Sequence, residues 1–490
     1  MDGTDKSHAA SIKNEEDQTN EKANFPPPIP ICAGCCRSRR SSFSVAPVSA
    51  SACLPFFDHL RRTPCGYIRG VAAKAPGVTA YKGIRYAEAG RWEYPRQVTH
   101  WNGIYDASEF GPCAMQENAI TPEWKNGRDQ FYYREFREGL DYTYSEDCQY
   151  LNIWAPDDAK NAPVIVYIHG GAFLSGSGWD KVFDEPVWPS HGVIGVTLNY
   201  RLSVFGYACL PELAAEAGHT GNYGLYDQLC ALQWVRDNIA AFGGDPDNIT
   251  LMGQSAGAKS VQMLSSTHAT EGLVRQVVMS SGAGDESSLF AGEENMEAKY
   301  DFWKVWKEAT GAATLEELRA LSSEEVLAAM GALFAHPDYG YMGVMNNLGP
   351  VWDNALFPND GFTLPVPYLC GGNTEDQVTG LALDALNWCE KQPVNSYAYC
   401  FVRQLPGDEK GAFHSADLWY WFGTLENCWR PFTEEDQALS DTMVGYLTNF
   451  ARTGDPNGDG LPVWETAQSS GQSLWLDTSE LVMADVDEEV

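Results

Sequence analysis

A chain of 490 residues that is 44% hydrophobic and 20% charged is long and apolar enough to bury a large globular core. Its 33 basic residues stand against 66 acidic ones, a formal net charge of -33, so the phosphates of a nucleic acid would be repelled and that class of partner is excluded. No apolar run reaches the ~20 residues of a membrane-spanning helix, which excludes an integral membrane segment.

The first 63 residues read as a disordered, low-complexity extension. They are polar and acidic up to about residue 24, stiffened by Pro26, Pro27, Pro28 and Pro30, and then rich in serine. Cys32, Cys35 and Cys36 form a C-x-x-C-C cluster, but no His or fourth Cys stands near enough to complete a zinc shell, and no metal is assigned. With 13 cysteines in the whole chain, an odd number, at least one thiol has no partner within it. The N-terminus has neither the basic start nor the apolar stretch of a secretory signal, so the expected compartment is the cytoplasm, with secretion as the alternative.

From residue 64 to 490 the texture is that of one α/β domain, in which buried-strand runs alternate with amphipathic helices and build a mostly parallel sheet flanked by helices. Residues 164–168 and 193–198 read as strands, and the first of them ends at glycines. Leu225, Leu229, Leu232, Val235 and Ile239 recur at helical spacing, and Phe242-Gly243-Gly244-Asp245-Pro246 stops that helix. Strands follow at 249–252, 274–279 and 397–402, while residues 291–335, rich in Ala, Glu and Leu, read as a helical insertion.

Gly253-Gln254-Ser255-Ala256-Gly257 lies between the strand at 249–252 and a helix. A serine on such a tight turn is pushed to the top of the sheet as a nucleophile, and the helix N-terminus beneath favours the negative charge that develops during attack. Upstream, His169-Gly170-Gly171-Ala172-Phe173 ends another strand. Its small residues let backbone N–H groups converge on one oxygen, so Gly171, Ala172 and Ala256 are the expected oxyanion donors. In this architecture the order is serine, acid, histidine. Of the histidines after Ser255, His268 closes the serine's own helix and points away, and the need for an acid between serine and histidine favours the last of the three over His336. His414, some ten residues beyond a strand, is the expected base. Glu375 and Asp376, adjacent in the loop after 368–370, both offer the acid; Asp353 reads as a structural strand-end residue. His169 reads as a brace for the oxyanion loop.

These motifs resemble those of the type-B carboxylesterase/cholinesterase family of α/β-hydrolases, and the match spans roughly residues 64–490. Ser145-Glu146-Asp147-Cys148-Gln149-Tyr150-Leu151-Asn152 is similar to the family's second signature, and Tyr81-Lys82-Gly83-Ile84-Arg85-Tyr86-Ala87 to its N-terminal one, with Arg85 in place of a proline. The resemblance implies an α/β-hydrolase fold with helical insertions, no cofactor, and a small-molecule ester as substrate. It implies Ser255 as nucleophile, His414 as base, and Asp376 as the acid at a position where the family usually carries Glu. It also implies a disulfide between Cys113 and Cys148. Gln254 departs from the family, where cholinesterases carry Glu.

Aromatic residues cluster at Phe131, Tyr132, Tyr133 and Phe136 and again at Trp419, Tyr420, Trp421 and Trp429. As a gorge wall they suit short-to-medium acyl or aryl esters, hydroxycinnamate esters included, rather than long triglyceride chains, with Phe173 and Trp419 as the named contacts. The alternative for residues 419–422 is a packed helix. Asp455-Pro456-Asn457-Gly458-Asp459-Gly460 begins like a calcium loop but has Thr466 where the bidentate Glu belongs, and reads as a turn. Two other functions compete with the esterase: a catalytically silent adhesion or scaffold protein on the same fold, and the same triad acting on thioesters, lactones or amides.

Overall fold

The computed structural model describes residues 59–117, 128–282, 284, 295–376 and 378–487. Its frame is an 11-stranded sheet. In chain order the strands are β1 (Val71–Ala72), β2 (Val78–Arg85), β3 (Tyr150–Pro156), β4 (Ala162–Ile168), β5 (Ile194–Leu198), β6 (Gly244–Gln254), β7 (Gln276–Ser280), β8 (Tyr368–Asn373), β9 (Tyr397–Phe401), β10 (Ser473–Leu476) and β11 (Leu481–Ala484). Across the sheet they run β11-β10-β9-β8-β7-β6-β4-β5-β3-β2-β1. The strands from β5 to β10 are parallel; β1 to β3 and β11 add antiparallel edges.

The central strands are buried on both faces, which is why they read as continuous apolar runs. Alternation then sorts their side chains. Val164, Val166 and Ile168 enter one hydrophobic core, while Ile165 and Tyr167 enter the core on the other side of the sheet. The first core packs beneath α2 (Tyr223–Asn238) and α3 (Ala256–Ser265), the second beneath α7 (Glu434–Thr453).

Strand order sets the place of the site. The chain leaves β4 for β5 on one side and returns to β6 on the other, so β4 and β6 are neighbours at a point where the winding reverses. Their carboxyl ends align, Ile168 against Gly253. A crevice forms at such a switch point, just beyond the strand ends. Two strands further along, β8 and β9 end together, with Asn373 paired to Phe401.

Three expectations change. Residues 60–63, assigned to the extension, form a strand paired with Gly66–Arg69, so the fold starts earlier than residue 64. The rest of the extension, with Cys32, Cys35 and Cys36, lies outside the described residues. Cys113 and Cys148 are free thiols rather than a disulfide. Cys113 Sγ instead donates to Ser177 Oγ at 3.3 Å, and burial pushes its pKa up to about 12. The helical insertion, whose expected end at 335 coincides with that of α4 (Met330–Ala335), also runs on past it into α5 (Gly340–Asn347). Among the described residues no helix is long and apolar enough to cross a membrane.

Candidate active site

Ser255 sits between β6 and α3 with φ 57° and ψ -126°, a strained conformation for a residue with a side chain. Its N–H donates to Ser280 O at 2.8 Å, which ties the turn to β7. The flanking glycines are required by contact. A Cβ on Gly253 would stand 2.4 Å from Gly257 O, and one on Gly257 would stand 2.1 Å from Ile168 O. Only bare backbone lets α3 pack this close to β4 and β6.

The loop after β4 turns back through positive φ at Gly171 (108°), Ala172 (58°) and Phe173 (59°). Leu174 and Ser175 N–H both donate to Gly171 O at 3.0 Å, which fixes that turn. No hydrogen bond within the described residues engages the N–H groups of Gly171, Ala172 or Ala256. His169 Nδ1 bonds Gly170 O at 2.7 Å, its ring stacks on Tyr200, and burial holds its pKa down to about 4. It is a neutral brace at the base of this loop.

His414 Nδ1 lies 2.6 Å from Asp376 Oδ1, both side chains being buried. The second oxygen of Asp376 accepts Asn373 N–H at 2.8 Å, which holds the carboxylate at the end of β8. Glu375 turns the other way. Its Oε2 accepts Ala412 N–H at 2.8 Å, pinning the loop ahead of the histidine. Asp353 accepts from Asn222 Nδ2 and from Ala355 and Phe357 N–H, and stands apart as a turn former. Since Nδ1–H faces Asp376, His414 Nε2 carries the lone pair, and Gln254 Nε2 reaches it at 3.2 Å.

Ser255, His414 and the oxyanion loop open onto a cavity of about 430 Å³. One part of its wall comes from α1 (Arg128–Phe136), through Tyr132, Tyr133 and Phe136. Another comes from Phe334, Tyr341 and Met345 on α4 and α5. Phe173 and Trp419, the contacts named from sequence, do not line it. Phe173 is buried against Tyr207, and Trp419 sits wholly inside a packed helix, α6 (Leu418–Phe422). The loop at 455–464 also spends its oxygens internally: Asp455 accepts from Asn457, and Asn457 from Trp464 N–H.

Two buried carboxylates here carry no motif. Asp417 accepts from Ser280 Oγ and Tyr399 OH, each at 2.7 Å, joining β7 and β9 beneath the histidine; burial pushes its pKa up. Its sequence signal is thin, an acid three residues after His414. Glu135 on α1 accepts from Trp419 Nε1 (3.0 Å), Trp429 Nε1 (2.8 Å) and Arg430 Nε (2.9 Å). Arg430 in turn holds Asp408, in the histidine loop, through both terminal nitrogens. Helix α1 and the His414 loop are thus clamped together, with Phe131 edge-on to Phe413 at 4.9 Å. Every partner of Glu135 is a donor, so an amide would turn N–H onto N–H. Glu135→Gln is expected to lower unfolding stability by about 3 kcal/mol, read by urea denaturation. A change under ~0.5 kcal/mol would remove the clamp from this account.

Comparison with known proteins covers nearly the whole described fold. The model of the Carboxylesterase family matches residues 58–388 and 382–488. Para-nitrobenzyl esterase of Bacillus subtilis (strain 168) is 29% identical, over 87% of this chain and 96% of its own length. Carboxylesterase 5A of Canis lupus familiaris is 30% identical, over 85% of each. Among solved structures, a PNB esterase superposes with TM-score 0.74 at 26% identity, covering 87% of this chain and 97% of its own. The Geobacillus stearothermophilus carboxylesterase superposes at 0.69 and 28% identity, covering 87% and 98%.

Proposed function

Since the chain belongs to the carboxylesterase family and is a carboxylic ester hydrolase, we propose that it cleaves short-to-medium acyl or aryl esters with Ser255 as nucleophile, His414 as base and Asp376 as the orienting acid. The observation that carries this reading is the convergence of strand ends. The Ser255 turn, the oxyanion loop and the Asp376–His414 pair come from β6, β4, β8 and β9 and meet at one cavity.

His414 Nε2 takes the Ser255 proton as Oγ attacks the ester carbonyl, while Asp376 holds the ring and steadies the imidazolium. The N–H groups of Gly171, Ala172 and Ala256 receive the oxyanion, each being free of any competing acceptor among the described residues. His414 then protonates the leaving alcohol, and water repeats the sequence on the acyl-enzyme.

Size and wall chemistry support the substrate class. A cavity of about 430 Å³ with aromatic walls accommodates a compact ester. The test is a series of p-nitrophenyl esters of increasing acyl length. kcat/KM is expected to peak at short-to-medium chains; a continuous rise to long fatty acyl groups would overturn the size argument.

A further inference from the structure

Set into this aromatic cavity is one ion pair that acyl transfer does not use. Arg137 directly follows α1, and Asp180 follows the oxyanion loop. Arg137 Nε stands 3.6 Å from Asp180 Oδ2, and Tyr142 OH donates to Asp180 Oδ1 at 2.6 Å. The two side chains are only 14% and 9% exposed, yet both line the cavity, so what surface they keep is reachable from it. Burial pushes the Asp180 carboxyl up despite the opposing pull of Arg137. A further hydrogen-bond donor therefore benefits it.

The chemistry of the pair restricts what it can receive. A carboxylate on the substrate would meet Asp180, whose own charge burial already disfavours. An ammonium group would meet Arg137. A neutral hydroxyl can donate to Asp180 and accept from Arg137 at once, leaving neither charge stripped of a partner. Tyr132, Phe136 and Phe183 share this lining, so the body that carries the hydroxyl is accommodated as a flat apolar ring. We propose that the Arg137–Asp180 pair selects esters bearing a phenolic hydroxyl, on the acyl or on the alcohol side. This rests on the esterase reading above and narrows its substrate class.

A site built to bond a hydroxyl discriminates strongly against the analogue that lacks it. Two matched pairs test this in competition: methyl 4-hydroxycinnamate against methyl cinnamate, and 2-(4-hydroxyphenyl)ethyl acetate against 2-phenylethyl acetate. Competition yields the ratio of kcat/KM values, which does not depend on how much of a preparation is folded. The wild-type enzyme is expected to prefer the hydroxylated member of at least one pair by about tenfold or more. In Arg137→Met and Asp180→Asn that ratio is expected to fall toward one. Should either variant be recovered unfolded, Arg137→Lys and Asp180→Glu, which keep the charges and displace them, are expected to lower the ratio in the same direction. Equal turnover of both members by wild type, or a preference that survives these substitutions, overturns the proposal and leaves the esterase standing. Failure to cleave any of the four esters or the p-nitrophenyl series strikes the esterase reading itself.

Discussion

Ser255→Ala is expected to lower kcat/KM for p-nitrophenyl butyrate by at least ~10³-fold. Alanine keeps the Cβ and removes only Oγ, so the turn and its N–H bond to Ser280 persist and the protein folds. What remains is the cavity and the three proposed oxyanion donors, a combination that by itself retains modest catalysis over water. Near-UV circular dichroism alongside the assay separates loss of chemistry from loss of fold. Turnover within tenfold of wild type would remove Ser255 from the nucleophile position.

The second large effect is a contrast between adjacent acids. Asp376→Asn is expected to cost ~10³- to 10⁴-fold in kcat, because an amide facing Nδ1 favours the wrong imidazole tautomer and no longer steadies the cation. Glu375→Gln is expected to cost less than tenfold, since its amide oxygen can still accept Ala412 N–H. Both variants are assayed at saturating p-nitrophenyl butyrate. The reverse pattern would move the acid role to Glu375, which the 2.6 Å bond from His414 to Asp376 argues against.

Much of this fold is legible in the amino-acid sequence. Strands at 164–168 and 249–252 stood out as apolar runs because parallel strands at the centre of a sheet are buried on both faces. The serine turn and the glycine loop were readable because their function demands small residues at fixed spacing, and sterics leave little choice. Gly257 must lack a side chain if Ile168 O is to stand where it does. The chain order of serine, acid and histidine then pointed to His414 without geometry.

What stayed hidden was whatever depends on distant segments meeting. The alternation of Glu375 and Asp376 along the chain says nothing of which carboxylate turns inward; the bonds from Asn373 N–H and Ala412 N–H decide it. Aromatic composition could not distinguish wall from core. Tyr132 and Phe136 line the cavity while Trp419 lies wholly inside α6, and Tyr341 arrives from an insertion with no motif at all. Cys113 and Cys148 matched a disulfide pattern, yet Cys113 faces Ser177. By itself the sequence determined the hydrolase frame, and it pointed to the Ser255 turn, the glycine loop after β4 and His414 as the candidate site, since local sterics and chain order restrict all three. Tertiary structure alone showed that Asp376 rather than Glu375 meets His414, which side chains wall the cavity, the Glu135 clamp and the Arg137–Asp180 pair, because each is a contact between residues far apart in the chain, and no local periodicity encodes it.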